Sequence, residues 1–273
     1  MNVFREKYGP WALVLGASEG LGEAFAHAAA QRGLHVAMAA RRAGLLHEAA
    51  DRVAGKHGVE TRAIPADLSQ PDFLESLKDA IRDLEVGLVV YNAAAGHIGS
   101  FVDQDLGHAM EMVEINCGGP VRVAHHFSRQ MKARGKGGII LMSSGAALAG
   151  GPGNALYAAG KSFELILGEG LARELRPAGV DVLSLIGPAI DTPNFWRDDP
   201  DVDRMLGPPL PSPQVAEEAL EQLGKCSSWV AGQAYRDGLA ALGTLPREQQ
   251  IDAMEASVLS MYGERARPVT PKE

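Results

Sequence analysis

Short apolar runs alternate along most of the chain with longer segments in which apolar residues recur at helical spacing. The continuous runs predict buried strands, and the helical spacing predicts helices with one buried face. The predicted strands are Ala12–Leu15, His35–Ala40, Thr61–Ile64, Gly87–Tyr91, Gly138–Met142 and Val180–Ile186. The predicted helices are Gly20–Arg32, Leu45–Lys56, Asp72–Leu84, Asp105–Ala133 and Ala155–Leu175. This alternation predicts an α/β fold, a doubly wound parallel sheet with helices on both faces.

Glycine and proline residues mark the ends of these elements. Pro177 ends the longest clean helical segment, whereas Gly118-Gly119-Pro120 is expected to interrupt the helix Asp105–Ala133. Past the sixth strand a rigid connector at 208–213 precedes two helices and a short strand, which are Val215–Leu223, Arg247–Tyr262 and Trp229–Ala231. We interpret 1–273 as a single domain with a substrate lid at 189–213 and a C-terminal helical extension at 214–273, whose polar tail follows Gly263.

The composition is that of a globular protein, with 46% hydrophobic and 22% charged residues among 273. A net charge of −8 argues against nucleic acid or an anionic membrane as a partner, because both need a basic face. The cysteines Cys117 and Cys226 are too few for a disulfide framework and indicate a reducing compartment. Because no apolar run approaches the length of a membrane span and no signal-peptide core follows Met1, we expect a cytoplasmic protein.

A glycine-rich loop, Gly16-Ala17-Ser18-Glu19-Gly20-Leu21-Gly22, joins the first predicted strand to the first predicted helix. Its spacing is G-x-x-x-G-x-G, which differs from the usual dinucleotide fingerprint G-x-G-x-x-G. Glycines allow a tight turn and close approach of a pyrophosphate, and the N-terminus of the helix attracts its negative charge. The loop therefore predicts a dinucleotide phosphate site, and the alternative is a glycine-rich turn without a ligand.

Tyr157 and Lys161 lie one helical turn apart in the predicted helix Ala155–Leu175 and share one face. An ammonium group beside a phenol favours the phenolate, and such a tyrosine can exchange a proton with an alcohol or carbonyl oxygen. Ser144 ends the fifth predicted strand, at the sheet edge where α/β proteins bind ligands. The alternatives are a solvated helix face for the pair and a helix-cap or turn role for Ser144.

Together with the glycine loop, these residues make the chain resemble the classical short-chain dehydrogenase/reductase family. The resemblance runs in order through residues 9–195, and its other motifs are Asn92-Ala93-Ala94-Ala95-Gly96 and Asn116. It implies a Rossmann-fold oxidoreductase in which Tyr157 is the general acid/base and Lys161 binds the nicotinamide ribose. It further implies that Ser144 polarises the substrate carbonyl and that Asn116 holds a water of the proton relay. The implied cofactor-binding residues are Gly16, Ser18, Glu19, Gly20, Leu21, Gly22, Arg41, Arg42, Asp67, Leu68, Asn92, Ala93, Ala94, Tyr157, Lys161, Pro188, Ile190 and Thr192.

Some positions depart from the family pattern. Threonine is commoner than Leu15 before the first glycine, glycine is usual at Ala94, and the usual Pro-Gly appears reversed as Gly187-Pro188. None of these changes removes a catalytic group. The start Tyr8-Gly9-Pro10-Trp11-Ala12 also resembles the subgroup of 17β-hydroxysteroid dehydrogenases and 3-ketoacyl-CoA reductases.

The end of the second predicted strand indicates which cofactor is preferred. An acidic residue in this position binds the ribose 2′-hydroxyl of NAD, but here Ala40 is followed by Arg41 and Arg42. An arginine pairs with a 2′-phosphate, so we predict that NADP(H) is preferred, with NAD(H) possible and Arg41 as the main contact. The alternative is two solvated arginines at a helix start, and Glu19, where many NADP-dependent relatives carry a basic residue, weighs against the prediction. By resemblance Asp67 contacts the adenine, and its alternative is a helix cap.

Three segments are expected to border the reacting carbonyl. They are 96–101, the uncharged loop 145–156, and the stretch after Pro188 that contains Phe195, Trp196, Met205 and Leu206. Apolar walls suit a small hydrophobic carbonyl or alcohol substrate. No metal site is expected, since the neighbouring His125 and His126 point about 100° apart on a helix.

The leading hypothesis is an NADP(H)-dependent oxidoreductase for a hydrophobic ketone or secondary alcohol. The alternatives are a 3-ketoacyl-thioester reductase and a non-catalytic protein that senses NADP(H). By analogy with the family we expect a homodimer or homotetramer built through the predicted helices Asp105–Ala133 and Ala155–Leu175. Gly160, Gly168 and Gly170 would allow those helices to approach closely.

Overall fold

A parallel sheet lies at the centre of the computed structural model, which describes residues 2–205 and 207–267. The strands, in chain order, are β1 (Trp11–Leu15), β2 (His35–Ala40), β3 (Thr61–Pro65), β4 (Val86–Tyr91), β5 (Gly137–Ser144), β6 (Val180–Gly187), β7 (Ile190–Asp191), β8 (Leu210–Pro211) and β9 (Ser228–Val230). The short strands β7 and β8 pair with each other, and the others form the central sheet. The sheet has seven strands in the order β3-β2-β1-β4-β5-β6-β9. This order confirms the doubly wound fold and places a topological switch point between β1 and β4.

Helices cover both faces of the sheet. They are α1 (Val3–Tyr8), α2 (Gly20–Gln31), α3 (Ala43–His57), α4 (Phe73–Ala80), α5 (Leu106–Val113), α6 (Gly119–Arg134), α7 (Ala155–Leu175), α8 (Pro193–Arg197), α9 (Ser212–Gln222), α10 (Gln233–Gly243) and α11 (Arg247–Tyr262). The sequence analysis missed α1, α8 and α10. The first two are short, and α10 has a weakly apolar sequence that follows Gly232.

The hydrophobic core is divided by the sheet, because strands buried on both faces carry continuous apolar runs. One half of the core lies under α2, α3 and α9 and includes Phe25, Leu46 and Leu220. The other half includes Leu77 of α4 and Phe127 of α6. Because α9 packs on α2 and β9 pairs with β6, the segment predicted as a helical extension also completes the sheet and the core.

The helix predicted at Asp105–Ala133 is not broken at Gly118-Gly119-Pro120. A π-helical turn at Glu114–Gly118 joins α5 to α6, so the wider turn absorbs the change of path. Pro120 lacks the N–H group that would bond the carbonyl of Ile115 in a π-helical turn, and the hydroxyl of Tyr91 donates to that carbonyl instead at 2.7 Å. At Gly119 any side chain would collide with the phenol oxygen of Tyr91. The glycine pair thus permits close packing and does not end the helix.

Two glycines expected at a subunit interface instead pack inside the chain. A side chain at Gly168 would collide with Oγ of Ser184 on β6, and one at Gly160 would lie 2.8 Å from Cβ of Asn116. Gly170 has open space around it. Across residues 2–205 and 207–267, no helix combines the length and apolar character needed to cross a bilayer.

Candidate active site

One cavity of about 770 Å³ lies at the carboxyl edge of the sheet, where the loops after β1 to β6 meet. It is lined by almost all of the predicted site residues. Those in the lining are Gly16, Ser18, Glu19, Gly20, Leu21, Arg41, Arg42, Asp67, Leu68, Asn92, Ala93, Ala94, Ser144, Tyr157, Lys161, Pro188, Ile190 and Thr192. Gly22 and Asn116 are the two predicted residues outside the lining. Gly22 packs against the carbonyl of Gly16, and the side chain of Asn116 forms hydrogen bonds with the backbone of Ala95.

The glycine loop makes a turn that excludes side chains. Gly16 has a φ of 80°, and a side chain at Gly22 would collide with the carbonyl oxygen of Gly16. Asn92 fixes the loop from the next strand, since its Nδ2 donates to the Gly16 carbonyl at 3.1 Å. The loop leads into α2, whose first N–H groups lack helical partners. This cradle fits a pyrophosphate group.

An ion-pair cluster links the glycine loop to two other elements. Oε1 of Glu19 accepts from Arg42 at 2.6 Å and from Arg197 of α8 at 2.7 Å. Arg42 also donates to Oγ of Ser18 at 3.2 Å. Burial opposes ionisation of Glu19, but the two arginines outweigh it and hold the pKa of this carboxyl below its usual range. The charge of Arg42 is thus already shared with a carboxylate.

Arg41 has a different environment. Its side chain is exposed at the cavity, and none of the ion pairs found among the described residues involves it. The positive charge of Arg41 acts on Asp67. Oδ1 of Asp67 also accepts from the N–H and Oγ of Ser69 at 3.1 and 2.8 Å. Although burial opposes the effect, these hydrogen bonds and Arg41 lower the pKa of Asp67. Asp67 therefore organises the turn after β3 and also lines the cavity beside Leu68.

The predicted catalytic groups meet where α7 passes the end of β5. Nζ of Lys161 lies 5.9 Å from the centroid of the Tyr157 ring, and both residues line the cavity with Ser144. Oγ of Ser144 accepts from the N–H of Ala146 at 3.3 Å, which leaves its own hydrogen free to donate. Tyr157 packs against Gly96, where a side chain would lie 3.5 Å from the ring. Three polar groups thus face one space at the sheet edge.

The ammonium of Lys161 is held by two acceptors. Its Nζ donates to the carbonyl of Met142 at 2.7 Å and to Oε2 of Glu164 at 2.8 Å. Lys161 is only 2% exposed and Glu164 is fully buried. Burial raises the pKa of Glu164 to about 7, and the contact with Lys161 limits the rise. The sequence analysis missed Glu164, since a glutamate in the middle of a helix is ordinarily exposed.

Asn116 lies in the π-helical turn and holds the loop after β4. Its Oδ1 accepts from the N–H of Ala95 at 3.0 Å, and its Nδ2 donates to the Ala95 carbonyl at 2.7 Å. Its side chain is buried and faces Gly160 of α7. Asn116 therefore connects the helix that carries Tyr157 to the loop that borders the cavity, and its role in a proton relay stays a prediction.

Substitution of Gly160 by alanine tests this contact. The new methyl group would lie 2.8 Å from Cβ of Asn116, so α7 must move away and carry Tyr157 and Lys161 with it. We expect kcat/KM to fall about tenfold, since small displacements of catalytic groups are costly. Gly170→Ala is the matched control, because outside its own helix no atom of the described residues lies within 4 Å of the added methyl group. It should keep full activity and gain about 0.5–1 kcal/mol of stability from helix propensity. Equal activity of the two variants would contradict the role of the Gly160 contact.

The reversed Gly187-Pro188 forms an ordered loop. Pro188, Ile190 and Thr192 all line the cavity, and the short ladder of β7 with β8 fixes their path. Oγ1 of Thr192 caps α8 by accepting from the N–H of Phe195 at 3.1 Å. The altered loop thus brings the predicted residues to the cavity.

The predicted substrate segments contribute unequally to the cavity. Gly96, Phe195 and Met205 line it, whereas Trp196 points elsewhere and donates from Nε1 to Asp191 at 2.7 Å. Leu206 and the end of the polar tail lie outside the described residues. Among 2–205 and 207–267, no group of three or more His, Cys, Asp or Glu side chains could hold a metal ion.

One wall of the cavity comes from α10 and α11 and was not predicted from the sequence. The residues of this C-terminal wall are Tyr235, Leu239, Met254, Ser257, Val258, Met261 and Tyr262. Burial raises the pKa of Tyr262 to about 12, and the negative charges that Asp198 and Tyr157 can carry add to the rise. Met254, Val258 and Met261 recur at helical spacing, and this apolar stripe was the available signal.

The comparisons with known proteins agree with this geometry. The chain matches the short chain dehydrogenase family over residues 10–203. A 7beta-hydroxysteroid dehydrogenase of Clostridium sardiniense is 32% identical over 248 residues, which are 91% of this chain and 95% of the relative. The 17-beta-hydroxysteroid dehydrogenase type 3 of Mus musculus is 29% identical over 194 residues, 70% of this chain and 63% of the relative. The latter match confirms the resemblance to the hydroxysteroid dehydrogenase subgroup.

Solved structures of related proteins are similar to this chain in fold and sequence. One, from work on 7beta-hydroxysteroid dehydrogenase stereoselectivity, has a TM-score of 0.86 at 32% identity and covers 92% of this chain and 98% of its own. A short-chain dehydrogenase from Sphingobium yanoikuyae in complex with NADPH has a TM-score of 0.74 at 26% identity, with 89% and 99% covered. Since the family match includes residues 10–203 and the Clostridium sardiniense relative aligns over 91% of the chain, the chain belongs to the short-chain dehydrogenase/reductase family of oxidoreductases.

Proposed function

We propose that this oxidoreductase uses NADP(H) to interconvert a bulky hydrophobic ketone, of the hydroxysteroid class, with its secondary alcohol. The observation that carries the proposal is the convergence of Ser144, Tyr157 and Lys161 on the same cavity as the glycine loop and Arg41. The names of the relatives support the substrate class, because several of them act on hydroxysteroids.

The cofactor preference rests on charge at the end of β2. Arg41 is exposed at the cavity and forms no ion pair with the carboxylates of residues 2–205 and 207–267, whereas Arg42 is bound to Glu19. A 2′-phosphate would gain an ion pair with Arg41, and NADH has no group to do so. The NADPH complex of the Sphingobium yanoikuyae relative supports the same preference. NAD(H) remains the weaker cofactor in this proposal.

The chain's own groups handle the oxygen and its proton. A bound nicotinamide would supply the hydride in reduction and accept it in oxidation. Tyr157 donates a proton to the carbonyl oxygen in reduction and removes it from the alcohol in oxidation. Ser144 donates a hydrogen bond to the same oxygen and stabilises its developing charge. The ammonium of Lys161 favours the phenolate form of Tyr157 and faces the place of the nicotinamide ribose.

The C-terminal wall argues for a hydrophobic substrate. Most of its side chains are apolar, and the loop 145–156 that faces Tyr157 carries no charge. Such a wall favours binding of a rigid apolar skeleton, because both surfaces are removed from water. The reacting oxygen of the substrate is then its main polar contact with the protein. The 3-ketoacyl-thioester alternative would need a basic surface for a phosphopantetheine group, and the net charge of −8 gives it no support.

Cofactor binding and turnover test the proposal together. NADPH and NADH are titrated in parallel by fluorescence, and oxidation of NADPH is then followed with 7-ketosteroids, other bulky ketones and a 3-ketoacyl-CoA. We expect tighter binding of NADPH and turnover of ketosteroids. Preference for NADH would overturn the cofactor assignment, and turnover of the thioester alone would overturn the substrate class. Binding without any turnover would favour an NADP(H)-sensing protein.

We also propose a homodimer or homotetramer, which a mass measurement in solution would test. Large apolar side chains on α5, α6 and α7 are exposed in the single chain. They are Leu106, Met110, Val121, Phe163 and Ile166, each 38–73% exposed. Apolar surface of this kind is typical of subunit interfaces.

A further inference from the structure

Glu164 is a buried carboxylate beside the proposed catalytic lysine, and the mechanism above gives it no task. It is fully buried between α7 and the sheet, and its Oε1 has no hydrogen-bond partner among the described residues. Its Oε2 accepts from Nζ of Lys161 at 2.8 Å. An ionised group that is desolvated and only half hydrogen-bonded destabilises a fold, and an apolar residue of the same size would avoid that cost.

We propose that Glu164 is a positioning residue that fixes the ammonium of Lys161 and, by offsetting its charge, sets the pH range in which Tyr157 exchanges its proton. This inference rests on the proposed roles of Tyr157 and Lys161. Two acceptors, Glu164 and the Met142 carbonyl, hold Nζ at 5.9 Å from the Tyr157 ring centroid.

The charges around Glu164 give the effect its direction. On the same helix it faces Lys161, and from β4 and the π-helical turn it faces Tyr91 and Cys117. The ion pair of Glu114 with Arg122 also acts on Tyr91. Burial raises the pKa of both Tyr91 and Cys117, so these two groups stay neutral beside the carboxylate. Lys161 is therefore the cation that Glu164 directly compensates.

The consequence for Tyr157 follows from Coulomb's law. Glu164 lies two turns from Tyr157, about 10 Å along the helix axis. Its negative charge opposes the field with which Lys161 stabilises the phenolate. This opposition is exerted by the ionised carboxylate, and burial delays its ionisation to a higher pH than that of an ordinary glutamate. Removal of the charge should therefore favour the phenolate and shift alcohol oxidation towards lower pH.

Substitution of Glu164 by glutamine removes the charge and keeps the shape and the acceptor. We expect the ascending limb of kcat/KM for oxidation of a 7-hydroxysteroid with NADP⁺ to move down by about one pH unit, the effect of one charge at about 10 Å in a dielectric of about 20. Glu164→Asp keeps the charge and should leave the limb near its wild-type position. Glu169→Gln is the matched control, since that glutamate lies on the same helix and accepts from Ser228 instead.

The outcomes separate this inference from the proposed function. If Tyr157→Phe keeps its activity, the proposed function itself fails. If Tyr157→Phe is inactive but Glu164→Gln matches Glu169→Gln or shifts the limb upward, only the role of Glu164 is overturned. An equal downward shift in Glu164→Asp would also overturn it, because the charge would not be the cause. Should Glu164→Gln fail to fold, Glu164→Asn also removes the charge and keeps an amide acceptor, and against the isosteric Glu164→Asp it must give the same downward shift.

Discussion

Tyr157→Phe should lower kcat for ketone reduction about a thousandfold, which is the contribution expected of a positioned general acid. The substitution removes one oxygen and leaves the ring in place against Gly96. Ser144 can still donate a hydrogen bond, but no other hydroxyl on that face of α7 can supply the proton. The loss corresponds to about 4 kcal/mol of transition-state stabilisation. Steady-state kinetics with NADPH and a ketosteroid measure it.

Affinity for NADPH distinguishes a lost proton donor from a damaged site. It should be nearly unchanged in Tyr157→Phe, because the glycine loop and Arg41 are untouched. Tyr8→Phe is the matched control. The hydroxyl of Tyr8 donates to Asp181 at 2.5 Å near the start of β6, whereas the cavity lies at the other edge of the sheet, where β6 ends. The control should keep full turnover. Comparable turnover in both variants would contradict the acid/base role of Tyr157.

Arg41→Ala should raise the Kd of NADPH about 30-fold, since a charge-assisted contact with a phosphate contributes about 2 kcal/mol. The Kd of NADH should stay the same, because NADH has no phosphate at this position. Parallel fluorescence titrations give both constants for each variant. The ratio of the two constants is the informative quantity, because it cancels any general effect on the site.

Arg42→Ala is the comparison that the structure offers for this prediction. Arg42 lies next to Arg41 in sequence, but its guanidinium is shared between Glu19 and Ser18. We expect a smaller loss of NADPH affinity than in Arg41→Ala. If both variants lose NADPH and NADH affinity equally, the 2′-phosphate is bound by other residues and the cofactor assignment is wrong.

The sequence predicted the sheet well because its strands are buried on both faces. Such strands appear as continuous apolar runs, and His35–Ala40 was predicted with the bounds that the structure has. Residues whose position depends on local turns were also predictable. The glycine loop and Ser144 lie, as predicted, at the carboxyl edge of the sheet. The helix Ala155–Leu175 likewise has the predicted bounds.

What the sequence could not predict depends on contacts between distant segments. The C-terminal wall meets Tyr157 only because α11 folds back over the cavity, about a hundred residues after α7 began. Glu164 is of a residue type that is ordinarily exposed, and the packing of α7 on β5 and β6 buries it. The helix propensities of Gly118, Gly119 and Pro120 are low and predict an interruption of the helix. The helix nevertheless continues through these residues, and Gly119 packs against Tyr91.

The carboxylate of Glu19 joins the glycine loop to Arg197 of α8, and both residues line the cavity. A ligand phosphate that draws Arg42 towards itself leaves Arg197 as the remaining arginine on this carboxylate. If nucleotide binding weakens the pair of Arg42 with Glu19, it would also change the environment of Arg197, and nucleotide affinity and the position of α8 would then affect each other by the same factor. A change in α8, far along the chain from the glycine loop, would in this way be measured as a change in nucleotide dissociation.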